Sequence, residues 1–171
     1  MDASSNALAS PSVKVDVDQA GDGELEKGEA TNFRAIAARA NYLAADRADL
    51  QYAVKEACRG MATPLASDVS KMKRIARYLV GVPALKMRSG PESYDDDNII
   101  AYVDSDWAGC RKTRRSTSGG MLVVGRMLVR SWSSTQAVVA TSSGEAEYYA
   151  MPWSAGRQRL LGCNQFWVSW G

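Results

Sequence analysis

Residues 99–106 read Ile99-Ile-Ala-Tyr-Val-Asp-Ser-Asp106, an apolar run that ends in two carboxylates. Ile99 to Val103 are rich in β-branched and aromatic residues, the composition of a short strand. A basic loop follows, Arg111–Arg115, and then two more strand-like runs, Gly120–Val124 and Met127–Ser133, joined by the two-residue turn Gly125-Arg126. Two residues suffice only to reverse the chain between antiparallel neighbours, so this pattern predicts a three-stranded antiparallel meander. Thr141-Ser142-Ser143 supplies a helix cap, and Glu145 and Glu147 are placed in the first turn, where carboxylates suit the positive end of the helix dipole. Pro152 falls inside this predicted helix, Gly156 and Gly162 weaken it further, and 164–170 are a candidate for a fourth strand.

Upstream of the strands the period changes to helical. Phe33, Ile36, Ala37, Ala40, Leu43 and Ala44 recur at three- and four-residue spacing and predict one buried stripe. Asp46 to Leu50 reads as a break and a fresh cap, and Leu50, Ala53, Val54, Ala57 and Met61 form a second stripe closed by Thr63-Pro64. Ser67 or Asp68 is expected to cap a third helix, with Val69, Met72, Ile75, Ala76 and Leu79 inward and Lys71, Arg74 and Arg77 outward, stopped by Gly81 and Pro83. Three helices this short are expected to need something further to pack on. The predicted organisation is a disordered acidic lead-in over 1–30, a helical segment over 31–85, a polar linker over 86–98 and an α/β domain over 99–171.

Composition excludes several chemistries. The 171 residues contain no histidine, so no Ser-His-Asp or Cys-His nucleophile, no His-ligated zinc and no imidazole acid or base can be built from this chain. Cys58, Cys110 and Cys163 form no Cys-x-x-Cys pair, and an odd count without a signal peptide predicts reduced thiols in an intracellular compartment, cytoplasmic or nuclear and not secreted. No apolar run approaches the roughly 18 residues that predict a bilayer span. The net charge of +2 divides unevenly: residues 1–30 carry seven acids and two lysines, while 31–171 carry the other nineteen Lys and Arg against twelve acids. A basic folded part is compatible with a polyanionic partner. Gly23 to Gly28 has the glycine spacing of a phosphate loop, but Glu29 stands where the lysine should be.

The chemistry-bearing signal is a carboxylate at a strand end, Asp104, and another at a helix start, Glu147. Oxygen ligands on separate elements are what a divalent-metal phosphodiesterase needs, and magnesium prefers them to nitrogen or sulfur. From spacing alone, Asp104 and Asp106 could equally be turn residues, and Glu145 and Glu147 could simply favour a helix start. Arg111, Lys112, Arg114 and Arg115 could contact phosphates or form a solvated loop. Trp107 and Trp132 could stack on bases or fill a core.

Four blocks taken together go further: Tyr102-Val-Asp-Ser-Asp-Trp-Ala-Gly109, Arg114-Arg-Ser-Thr-Ser-Gly119, Ser131-Trp-Ser-Ser134 and Ser142-Ser-Gly-Glu-Ala-Glu-Tyr148. In this order and at these distances they resemble the ribonuclease H domain of copia-type retrotransposon Pol polyproteins. Tyr42–Leu50 and Lys73–Gly81 look like the segment that joins such a reverse transcriptase to its ribonuclease H. The resemblance spans about residues 32–155 and implies a ribonuclease H-like α/β fold. It places Asp104 and Glu147 at the family's first catalytic aspartate and its catalytic glutamate, with Asp106 and Glu145 the neighbours most easily confused with them. It further implies Mg2+ or Mn2+ as cofactor, hydrolysis of the RNA strand of RNA–DNA hybrids, and the rest of a Pol polyprotein as partner.

The sequence also departs from that pattern. The family's later carboxylates have no counterpart, because no Asp or Glu follows Glu147. Gly144 stands where Thr is usual, and Pro152 interrupts the helix. The expectation is therefore a truncated domain with little or no hydrolysis of its own, or a catalytically dead remnant that still binds nucleic acid. Tyr94-Asp-Asp-Asp97 lies in a polar stretch and reads as a solvated loop, not a polymerase motif, and Ser70-x-x-Lys73 stands without the other parts of an acylating enzyme.

Overall fold

In the computed structural model the described residues are 8–12, 23–87, 99–125 and 127–151. They fall in two compact units, Met1–Lys86 and Met87–Gly171.

The first unit is helical: α1 (Lys27–Leu43), a 3-10 turn (Ala48–Leu50) running into α2 (Gln51–Cys58), and α3 (Ala66–Gly81). On α1 the buried stripe is Ala30, Phe33 and Ala37, continued by Ala44 at the C-cap, with Ala40 packed beside it. These positions step by three and four, which keeps them on one face. Ile36 is 52% exposed and Leu43 38% exposed, against expectation. Each lies next to a stripe position, about 100° round the helix, so its side chain leaves the buried face. The second stripe is as expected: Leu50 and Val54 are wholly buried, with Ala53 and Ala57 beside them and Met61 packed against the cluster. On α3, Met72, Ile75 and Tyr78 are buried and Val69 and Leu79 pack against the core, while Ala76 faces solvent. Arg74 is half-buried with its Nε shielded, a departure from its expected outward position.

These three helices close an apolar core of their own, from Phe33 to Tyr78, where the sequence suggested they would need a further partner. The α3 start also differs. Its N-cap is Leu65, and the buried Asp68 sits at the third helical position, accepting the Leu65 backbone N–H (3.2 Å) and pairing with Lys71 (2.8 Å). The helical part begins earlier than residue 31: Lys27 opens α1, Glu24 bridges Leu65, and the Leu25 N–H reaches the Pro64 carbonyl (3.1 Å). The rest of the predicted lead-in, apart from 8–12, lies outside the described residues, as do residues 88–98 of the predicted linker.

A buried polar cluster closes the helical unit. Arg47, 7% exposed, forks onto Asp49 through Nε (3.0 Å) and a terminal nitrogen (2.8 Å). It also donates to the carbonyls of Val82 (3.0 Å) and Pro83 (3.2 Å), satisfying acceptors left over at the end of α3. The Tyr78 hydroxyl donates to Asp49 (2.9 Å). Hydrogen bonding from Arg47 holds the Asp49 carboxyl below the usual carboxylate range, against the opposing pull of desolvation.

The second unit is a three-stranded antiparallel sheet with one helix: β1 (Ile99–Asp106), β2 (Thr117–Val124), β3 (Met127–Thr135) and α4 (Ser143–Ala150), in the order β1-β2-β3. This is the predicted meander, with strands a few residues longer than their apolar runs because the ladder continues through serine and threonine. Asp104 pairs with Gly119, Ser105 with Ser118 and Asp106 with Thr117. A bulge interrupts the β2–β3 ladder between Leu122 and Val123. Gly120 lies under the Trp132 ring, and a Cβ there would run into it, so the strand needs glycine to let the indole lie flat. Helix α4 packs against β1 and β2. Pro152 and the candidate strand 164–170 lie outside the described residues, as does Arg126 of the predicted hairpin turn.

Candidate nuclease-type carboxylate site

Asp104 lies within β1, two residues before its end, and is exposed. Its carboxylate makes no hydrogen bond or ion pair among the described residues. Asp106 is different. Its carboxylate accepts the backbone N–H of its ladder partner Thr117, and a Cβ at Gly109 would collide with it. That carboxyl therefore stitches the end of β1 to the start of β2. The chain then turns through Ala108 at a φ of 51°, where L-residues are uncommon, and the Ala108 N–H is taken up by the hydroxyl of the fully buried Ser116 (3.0 Å).

The two glutamates of α4 divide in the same way. The N-cap is Ser142, whose hydroxyl accepts the Glu145 N–H (3.1 Å). Glu145 in turn reaches back to accept the Thr141 N–H (2.6 Å) and hydroxyl (2.5 Å), and it also accepts the Tyr149 hydroxyl (3.0 Å). This is a reciprocal cap that satisfies donors which the helix leaves open. The hydrogen bonds, led by the Thr141 hydroxyl, hold the Glu145 carboxyl below its usual range, and the hydrogen bond that Tyr149 donates to Glu145 raises the tyrosine. Glu147 is half-buried and makes no such bond among the described residues. It stands in the second turn, not the first as the sequence suggested, because Ser143 is the first helical residue.

Asp104 and Glu147 thus sit uncommitted on elements packed against one another, while Asp106 and Glu145 are occupied in holding those elements' ends. Among the described residues no three carboxylate or thiol side chains gather into a metal-holding group. Two carboxylates suit a single, largely hydrated magnesium ion, which commonly takes one or two carboxylates and keeps its waters. They do not complete a two-metal centre.

The loop after β1 carries the predicted cations. Arg111, Lys112, Arg114 and Arg115 are all exposed. The loop is closed by backbone bonds from Arg114 N–H to the Cys110 carbonyl (2.7 Å) and from Cys110 N–H to the Arg115 carbonyl (3.2 Å), with Arg114 at a φ of 56°. Trp107 is 52% exposed, so it is not a core residue. Its indole N–H donates to the Ala140 carbonyl (3.2 Å) just ahead of α4. Trp132 is half-buried on the sheet over Gly120. Sequence reasoning overlooked Gln136 altogether. It is 7% exposed and joins β2 to α4, and a lone glutamine after a serine-rich strand carries no signal of that role.

An antiparallel three-stranded sheet with a packed helix, bearing a free aspartate on its first strand and a free glutamate on the helix, is compatible with a ribonuclease H-like fold. The chain is 38% identical over 128 residues to an uncharacterized mitochondrial protein of Arabidopsis thaliana, covering 73% of this chain and 51% of that protein. It is 37% identical over 121 residues to the retrovirus-related Pol polyproteins from transposons RE1 and RE2 of the same plant, covering 69% of this chain and 8% of each polyprotein. These matches agree with the likeness to the Pol polyproteins of copia-type retrotransposons that the four sequence blocks implied. The chain spans about half the length of the first relative and a small part of the other two. No protein-family model and no solved structure matches it. No helix among the described residues is long and apolar enough to cross a membrane.

Proposed function

We propose that the sheet unit is a ribonuclease H-type module of a Pol polyprotein, in which Asp104 and Glu147 are metal-holding carboxylates directed at the RNA strand of an RNA–DNA hybrid. The helical unit is the remnant of the segment linking reverse transcriptase to that module. The observation that carries the reading is the division of labour among four acidic residues. Asp106 and Glu145 are spent on backbone N–H groups, and the two residues at the family's catalytic positions are left free. A bound Mg2+ or Mn2+ would supply Lewis-acid activation of water beside the phosphodiester. Asp104 and Glu147 would hold one such ion, and the basic loop would meet the nucleic-acid backbone. Two carboxylates fall short of a two-metal centre, so weak or no hydrolysis is expected from these residues alone.

The test is Mn2+ titration of the full chain followed by amide line-broadening, with hybrid cleavage at high protein concentration alongside. Broadening centred on Asp104 and Glu147 is expected, and Asp104→Asn or Glu147→Gln should each abolish both it and any cleavage. Cleavage that survives in both variants removes the assignment.

A second reading, a nucleic-acid-binding remnant without turnover, is favoured by the four exposed cations on a loop that is closed by its own backbone bonds. It predicts hybrid binding that weakens with salt, and replacing any one of these cations by Ala should lower the salt slope by about 1. Affinity indifferent to ionic strength would exclude it.

A further inference from the structure

Gln136 ties the sheet to the helix that bears Glu147. It follows β3 directly, and its own backbone N–H is anchored on the Ser116 carbonyl (2.8 Å). Its amide nitrogen donates twice, to the Ser118 hydroxyl on β2 (2.9 Å) and to the Ala146 carbonyl on α4 (2.8 Å). Ser118 is the ladder partner of Ser105, which is the neighbour of Asp104, and Ala146 is the neighbour of Glu147. The amide oxygen is shielded from solvent and makes no hydrogen bond among the described residues. Burying an unpaired carbonyl is unfavourable, and an apolar side chain of similar size would fill the space without that penalty. Gln136 is therefore explained by its two N–H donors, not by its volume. A second latch lies nearby, where the Trp107 indole N–H meets the Ala140 carbonyl and ties the chain just past β1 to the segment that leads into α4.

We infer that Gln136 is a positioning residue, a clamp that sets α4 against β1 and β2 and so fixes where Glu147 stands relative to Asp104. This rests on the ribonuclease H reading for its purpose, though the clamp itself can be tested without metal or substrate. The experiment uses the full chain with Gln136→Met, which keeps the volume and loses both donors, and Ser118→Ala, which removes one acceptor and leaves the link to Ala146.

Amide hydrogen exchange is read across α4 and the three strands, and Mn2+ affinity is read from broadening at residues 104 and 147. In Gln136→Met the α4 amides should exchange about tenfold faster with the strand amides unchanged, and Mn2+ affinity should fall about tenfold, as when groups that orient ligands are removed. Ser118→Ala should shift both in the same direction by about threefold, and it carries the test if Gln136→Met fails to fold. Exchange in α4 that stays within twofold of the parent in the folded variants, or that rises equally in the strands, overturns the clamp. If the parent protein itself shows no Mn2+ effect at Asp104 and Glu147, the ribonuclease H reading fails, and α4 exchange alone then decides the clamp.

Discussion

The helical unit and the sheet unit are held together by different physics. In the first, Phe33, Leu50, Val54, Met72 and Ile75 are buried side by side, and one charged cluster around Arg47 is enclosed with them. In the second, the buried apolar residues among those described are all alanines, Ala101, Ala140, Ala146 and Ala150, and the buried company is polar: Ser116, Thr117, Ser118 and Gln136. Alanine removes little apolar surface from water, so burial contributes much less per residue there than at a leucine or isoleucine. The sheet unit relies on side-chain hydrogen bonds to backbone, each worth about 1 kcal/mol net. The same bonds that build it also separate the structural carboxylates from the free ones. A region whose fold and candidate site draw on one small set of polar contacts cannot lose a contact without disturbing both.

This contrast is open to direct attack. The largest effect is expected for Leu50→Ala, which removes a wholly buried side chain and should cost the helical unit about 2–5 kcal/mol. The helical unit contains no tryptophan, and Trp107 and Trp132 lie in the sheet unit, so tryptophan fluorescence reports on the latter. In denaturant, the loss of helical circular dichroism should move to lower concentration while the tryptophan transition stays in place. If both move together, the two units do not owe their stability to separate contacts.

A smaller effect is expected for Ser142→Ala, which deletes the cap hydroxyl of α4 and should cost about 1 kcal/mol, read this time in the tryptophan transition. An unchanged transition would show that the Glu145 half of the cap suffices alone. The smallest effect concerns acid. The Asp49 carboxyl is held below its ordinary range in the folded unit, so the stability it contributes is present above its unfolded pKa and is lost as pH falls through the folded one. Asp49→Asn should therefore flatten the loss of helical stability below about pH 4, the ordinary carboxylate pKa. A mutant that keeps the parent's acid slope would place the linkage on other carboxylates.

Much of this was legible in the residues themselves. The meander could be read from Ile99–Val103, Gly120–Val124 and Met127–Ser133 because strand composition and a two-residue turn are local properties. The Leu50–Val54 stripe and the Ser142 region as a cap were legible for the same reason. Where one residue's environment depends on a distant one, local reading failed. Ile36 is as apolar as any buried neighbour, yet the stripe is set by where α2 and α3 lie against α1. Tyr78 turns inward because Asp49 is there to receive its hydroxyl.

Sequence alone determined the classes of chemistry available, since residues without a single histidine offer no imidazole as base, nucleophile or ligand. It also determined which four carboxylates were worth considering. Which two of the four are free was decided only by tertiary structure. Asp104 and Asp106 look alike along the chain, as do Glu145 and Glu147, and they part company because the ladder brings the Thr117 N–H to Asp106 and the helix start brings Thr141 to Glu145. A hydrogen bond to a backbone group depends on the geometry of two segments at once, and no single segment encodes it.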